Sequence, residues 1–139
     1  MYYVAPVLRL RFNSEGKMTV GDTNELARLQ KALEVFIEID PFMTAQRIHT
    51  LLAVATEEMG TMAEVRQYYT DRGLSNSTSM RNLSFWTDQT WIQPDGKRPV
   101  NYKAITYIQD PSDYRAKLLK VTPEGNNLLS KVVSELKED

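Results

Sequence analysis

The chain has 139 residues, 42% of them hydrophobic and 25% charged, with a formal net charge of −1, one histidine and no cysteine. That is the size and composition of one globular domain able to bury a core. The missing cysteines exclude disulfides, thiolate metal sites and a thiol switch. The lone His49 excludes catalytic triads and multi-histidine metal sites within one chain, and no apolar run approaches the roughly 20 residues of a membrane span.

The first segment, 4–12, alternates apolar and basic residues through Leu8, Arg9, Leu10, Arg11 and Phe12, the period of a strand. Asn13-Ser14-Glu15-Gly16 reads as a turn and Lys17-Met18-Thr19-Val20 as a returning strand, so residues 1–22 are expected to form an extension carrying a β-hairpin. Pro6 confines that hairpin to a sheet edge. Arg9 and Arg11 interrupt the apolar run that a secretory signal would need, and a cytoplasmic location is expected.

Residues 24–39 follow with Leu26, Leu29, Leu33, Phe36 and Ile37 at helical spacing, ended by Asp40-Pro41. A second helix is expected over 44–58, capped by Thr44, with Ile48, Leu51, Leu52 and Ala55 inward and Gly60 as its stop. His49 falls inside it and reads as an ordinary helix histidine. Thr61-Met62-Ala63-Glu64 is a capping box and starts a short helix to about Tyr69. Asp71-Arg72-Gly73 is a turn, and Ser75 caps a further helix to about Asp88. Two helices joined by a tight turn, 61–88, are the sequence form of a helix-turn-helix.

This second helix reads SNSTSMRNLSFW. Ser79, Leu83 and Trp86 share one side, and Ser77, Thr78, Arg81 and Asn82 fall mainly on another. Short polar side chains with one arginine suit close approach to phosphates and base edges in a major groove, and equally suit a solvated helix face. After Asp88 the period changes to two. Trp91-Ile92 begins a strand, Pro94-Asp95-Gly96 is a turn, 104–109 is β-branched and aromatic, Asp110-Pro111-Ser112-Asp113 turns again, and 116–121 returns. Thr122, Pro123 and Glu124 then cap, open and charge a last helix over 123–137.

The charge is unevenly spread. Residues 1–65 carry a net −3, residues 66–120 a net +4, and residues 121–139 a net −2. A local basic field matters more to phosphate binding than the total. Taken in order, the elements predict a mainly α, α+β chain: a winged helix-turn-helix, with a wing over 91–121 and flanking helices 24–39 and 123–137 for dimerisation.

The stretch Asp113-x-Arg115-x-x-x-Leu119-x-Val121-Thr122-x-x-Gly125 resembles the wing signature of MarR-type transcriptional regulators, with Val121 in place of the usual leucine. Leu74-Ser75-Asn76-Ser77-Thr78 and Arg81 resemble the start of that family's recognition helix. The resemblance covers roughly residues 24–137. It implies a homodimeric regulator of transcription that binds double-stranded DNA and has no catalytic activity, cofactor, metal or membrane association. Ser77, Thr78 and Arg81 would face DNA, with Asn76 and Asn82 beside them, and Ser75 would cap the helix and touch a phosphate. Arg115 would either reach the minor groove or pair with Asp113 to brace the wing tip. Many family members respond to a small-molecule effector, which nothing in this sequence identifies. The chain departs from the family in its N-terminal hairpin and in the long segment 88–103, whose Lys97, Arg98 and Lys103 would extend the phosphate footprint. It also has a single helix after the wing; helices 24–39 and 123–137 are more apolar than one small core requires, and Leu33, Phe36 and Val133 are candidates for a partner face. The competing reading is a winged helix that binds another protein instead of DNA. An enzyme would need an acid/base pair in a cleft, and the sequence nominates none.

Overall fold

The computed structural model describes residues 16–87 and 102–137, and of residues 114–116 the backbone only. The chain is mainly helical with one small antiparallel sheet. In order it forms α1 (Val20–Ile39), α2 (Ala45–Ala55), α3 (Met62–Thr70), α4 (Asn76–Ser84), β1 (Ile105–Asp110), β2 (Asp113–Val121) and α5 (Pro123–Leu136). Among the described residues no helix is long and apolar enough to cross a membrane. The expected strand over 4–12, the Trp91-Ile92 strand and the Pro94-Asp95-Gly96 turn lie outside the described residues.

Among the described residues every helix starts on a hydroxyl. Thr19, Thr44, Thr61, Ser75 and Thr122 each accept the backbone N–H three residues on, at 3.0–3.2 Å. Each such cap is worth about 1 kcal/mol relative to alanine. The cap at Thr19 corrects one expectation. Lys17–Val20 is not a complete returning strand, because Thr19 caps Asp22 and exchanges a second hydrogen bond with its carboxylate at 2.8 Å, so the helix begins at Val20. The stop of α2 is corrected too. The helix ends at Ala55, short of Gly60, and Glu57, at φ 63°, is the left-handed residue that follows it. That conformation lets the Met59 N–H reach the Ala53 carbonyl and buries the Met59 side chain. The buried side of α2 is Thr50, Leu51, Ala53 and Val54, leaving Leu52 exposed.

α4 is shorter than expected. It closes at Ser84 because Trp86 and Thr87 turn back on the carbonyls of Leu83 and Ser84. This tight turn drops Trp86 into the centre of the core, fully buried, with its indole N–H donating to the Arg47 carbonyl at 2.7 Å. Phe36 meets it edge-on at 6.2 Å between ring centroids. Phe36, expected at a partner face, is therefore a core residue, 1% exposed. Leu51, Val65, Leu83 and Ile105 complete the innermost shell.

β1 and β2 pair from Ile105↔Val121 to Gln109↔Lys117, with a register shift before Asp110↔Asp113. At the turn, the Asp110 carboxylate accepts the N–H and the hydroxyl of Ser112, which holds its pKa below the usual carboxylate value. The base of the hairpin is tied to the body three times. The Trp86 carbonyl accepts the N–H groups of Ala104 and Ile105, the Gly60 carbonyl accepts the Leu119 N–H at 2.9 Å, and the Ala104 carbonyl accepts the Thr122 N–H. Gly125 makes this close approach achievable. A Cβ there would stand 2.4 Å from the Ala104 carbonyl oxygen and 2.7 Å from Val121 Cγ1, too close for any side chain. Thr122 and Gly125 thus belong together: the first caps α5 and the second lets α5 lie against the hairpin.

Candidate nucleic-acid interface

α4 is set by the turn that precedes it. At the end of α3 the N–H groups of Arg72 and Leu74 both return to the Tyr69 carbonyl, and Gly73 sits at φ 88°, a conformation that favours glycine. Ser75 follows, capping α4 through Thr78 N–H and donating to the Thr78 hydroxyl at 2.9 Å. Ser75, Asn76, Ser77 and Arg81 are exposed and Thr78 is half-buried, so these five share the outward side of the helix. Ser79, Leu83 and Trp86 lie inward.

Asn82 is a correction. It was grouped with the outward residues, but it is 5% exposed and its side-chain amide donates to Gln46 Oε1 of α2 at 3.1 Å. An amide held this way cannot reach a ligand in front of the helix. A partner 36 residues away leaves no local signal in the sequence that Asn82 turns inward.

The remaining expected residues are distributed as follows. Lys103 is exposed just before β1, and its carbonyl accepts the Thr122 hydroxyl. Asp113 is exposed at the start of β2, opposite Asp110. Arg115 belongs to β2 by its backbone, and its side chain lies outside the described residues, as do Lys97 and Arg98 entirely. The hairpin also exposes Lys117, whose ammonium lies 5.5 Å from the centre of the Tyr107 ring, and Lys120. Burial raises the Tyr107 pKa, while a hydrogen bond with Thr87 offsets part of that rise.

Between α2 and α3 lies a polar cluster that sequence reasoning missed. Tyr69 of α3 places its hydroxyl 2.8 Å from Thr50 Oγ1 and 2.9 Å from His49 Nδ1, and donates to the Gln46 carbonyl at 3.2 Å. Burial raises the Tyr69 pKa. His49 stacks on Tyr68 at 5.1 Å, and the Arg72 guanidinium lies over the Tyr68 ring, 3.4 Å from its centre, while donating to the Tyr68 carbonyl. These side chains, with Ala45, Gln46 and Leu74, line a shallow cleft of about 360 Å³. Only the helical spacing of Tyr69 hinted at burial; its partners on α2 carried no motif.

No family model matches this chain, and no curated protein or solved structure matches it either.

Proposed function

We propose that the protein is a sequence-specific, double-stranded-DNA-binding regulator of transcription, built as a winged helix and resembling the MarR type. The observation that carries this reading is the outward side of α4, where Ser75, Asn76, Ser77, Thr78 and Arg81 present short polar groups and one guanidinium. Such a surface admits a helix deep into a major groove, and an arginine there pairs with guanine. The β1–β2 hairpin serves as the wing. Its Lys117 and Lys120 add phosphate contacts, and its link to Gly60, beside the cap of α3, gives it a fixed position relative to α3.

A homodimer supplies two half-sites. Support comes from the apolar side chains left exposed on α1, Leu26, Leu29, Leu33 and Ile37, and on α5, Val133 and Leu136. Sedimentation at tens of micromolar is expected to show a dimer; a strict monomer overturns the two-half-site arrangement.

The direct test is selection from a random duplex pool, followed by titration of the enriched site against salt. An enriched site and a steep fall of affinity with salt are expected. Lys117→Ala and Lys120→Ala should each flatten the salt slope by about 1. Arg81→Ala should cost about 1–3 kcal/mol at one base pair of the site. Absence of binding to any duplex at low salt overturns DNA recognition and leaves the protein-interaction reading, for which the exposed apolar stripe of α1 is the natural surface.

A further inference from the structure

α4 carries two buried polar side chains, and they behave differently. Ser79 donates to the Ser75 carbonyl of its own helix at 3.0 Å, so it says nothing about neighbours. Asn82 reaches out of the helix to Gln46. Gln46 in turn accepts at its backbone carbonyl from Thr50 Oγ1 at 2.8 Å and from the Tyr69 hydroxyl. One residue in the first turn of α2 is therefore bonded to α4 through its side chain and to α3 through its main chain. Among the described residues no buried side-chain nitrogen or oxygen lacks a partner, so the chain of bonds is complete.

We infer that the Asn82–Gln46–Tyr69 chain sets the rotation of α4 about its own axis, making Gln46 and Asn82 positioning residues for the outward side chains that read a ligand. The reading of that ligand as DNA rests on the function proposed above. Apolar burial of Leu83 and Trp86 holds α4 against the body, but it is non-directional and tolerates small rotations. A hydrogen bond between two planar amides is directional, and a half-buried pair that comes apart leaves both groups unsatisfied. Asn82 is well placed to sense rotation, because it sits one turn after Thr78 at the edge between the inward and outward sides. At a side-chain radius of roughly 5–6 Å, a rotation of about 20° moves a side-chain tip about 2 Å. That displacement is beyond the tolerance of a bidentate contact to a base.

The test replaces the pair without leaving a half-pair. Gln46→Leu combined with Asn82→Leu is expected to unfold cooperatively near the wild-type temperature and to keep wild-type affinity for random duplex at low salt. The ratio of selected-site to random-duplex affinity should fall at least tenfold. Amide exchange over 79–85 should quicken at least tenfold while α5 stays unchanged. Ratio and exchange both within twofold of wild type would overturn the inference. If the leucine pair does not fold, the exchanged pair Gln46→Asn with Asn82→Gln decides: it keeps two amides face to face, and recovery of the ratio to within about threefold is expected, whereas loss despite a folded protein counts against positioning. A wild-type protein that binds no duplex defeats the DNA reading alone, and the exchange measurement on α4 still judges the positioning role.

Discussion

α1 and α5 are held together differently from α2, α3 and α4. The first pair lies side by side with Ala32 and Phe36 buried on one helix and Leu128 and Val132 on the other. The second group is cross-linked by directional bonds: Asn82 to Gln46, Tyr69 to Gln46 and Thr50, and the Trp86 indole to Arg47. Apolar packing supplies most of the free energy of folding but sets position loosely, whereas buried hydrogen bonds add little net stability and define register. The half that carries the bonds is the half that includes α4, whose outward side the proposed function uses.

Five substitutions probe this contrast. Phe36→Ala strikes the apolar side and should lower stability by about 3–5 kcal/mol in urea unfolding; a loss below about 1 kcal/mol would mean that the core is centred elsewhere. Leu33→Ala, three residues earlier on the exposed stripe, is its control and should leave the monomer's stability almost unchanged. Gly125→Ala acts where α5 meets the hairpin, and its methyl group must displace the Ala104 carbonyl. A cost of about 3 kcal/mol is expected from overpacking, and a neutral result would show that α5 can slide away from the hairpin. Tyr69→Phe removes one hydroxyl from the polar group and should cost about 1–2 kcal/mol, with faster amide exchange around α3 and α4 but not α5. Uniform acceleration across all helices would erase the distinction between the two regions. Glu57→Gly is the smallest change and of opposite sign. Relief of the left-handed backbone should stabilise the chain by up to about 1 kcal/mol, and any destabilisation would assign the Glu57 side chain a contact of its own.

Four of the five helix caps are legible in the sequence, because Thr44, Thr61, Ser75 and Thr122 each precede an apolar run at helical spacing. The fifth, Thr19, is hidden by a neighbourhood that also fits a strand, and only the bond to Asp22 decides it. The β1–β2 hairpin is legible from its β-branched residues and its Asp110-Pro111 turn. What local pattern cannot give is the side on which a polar residue of intermediate position falls. Asn82 turned inward because Gln46 waits there, and Leu52 turned outward because Thr50 could be buried with both Gln46 and Tyr69 as partners. Glu57 illustrates a similar limit: a glycine three residues later offered the cheaper left-handed residue, yet burial of Met59 selects the earlier turn. On the candidate interface, the outward serines and Arg81 follow from helical period alone, while the cluster that holds them in place depends entirely on distant pairings.

The root of the hairpin is clamped at Gly60, Trp86 and Thr122, while exposure grows along β1 from the buried Ile105 to Ile108 and Gln109. Leu119 pairs with Tyr107 inside the hairpin and also donates its N–H to Gly60, one residue before the cap of α3, so β2 and the start of the helix that carries Tyr69 share a backbone link.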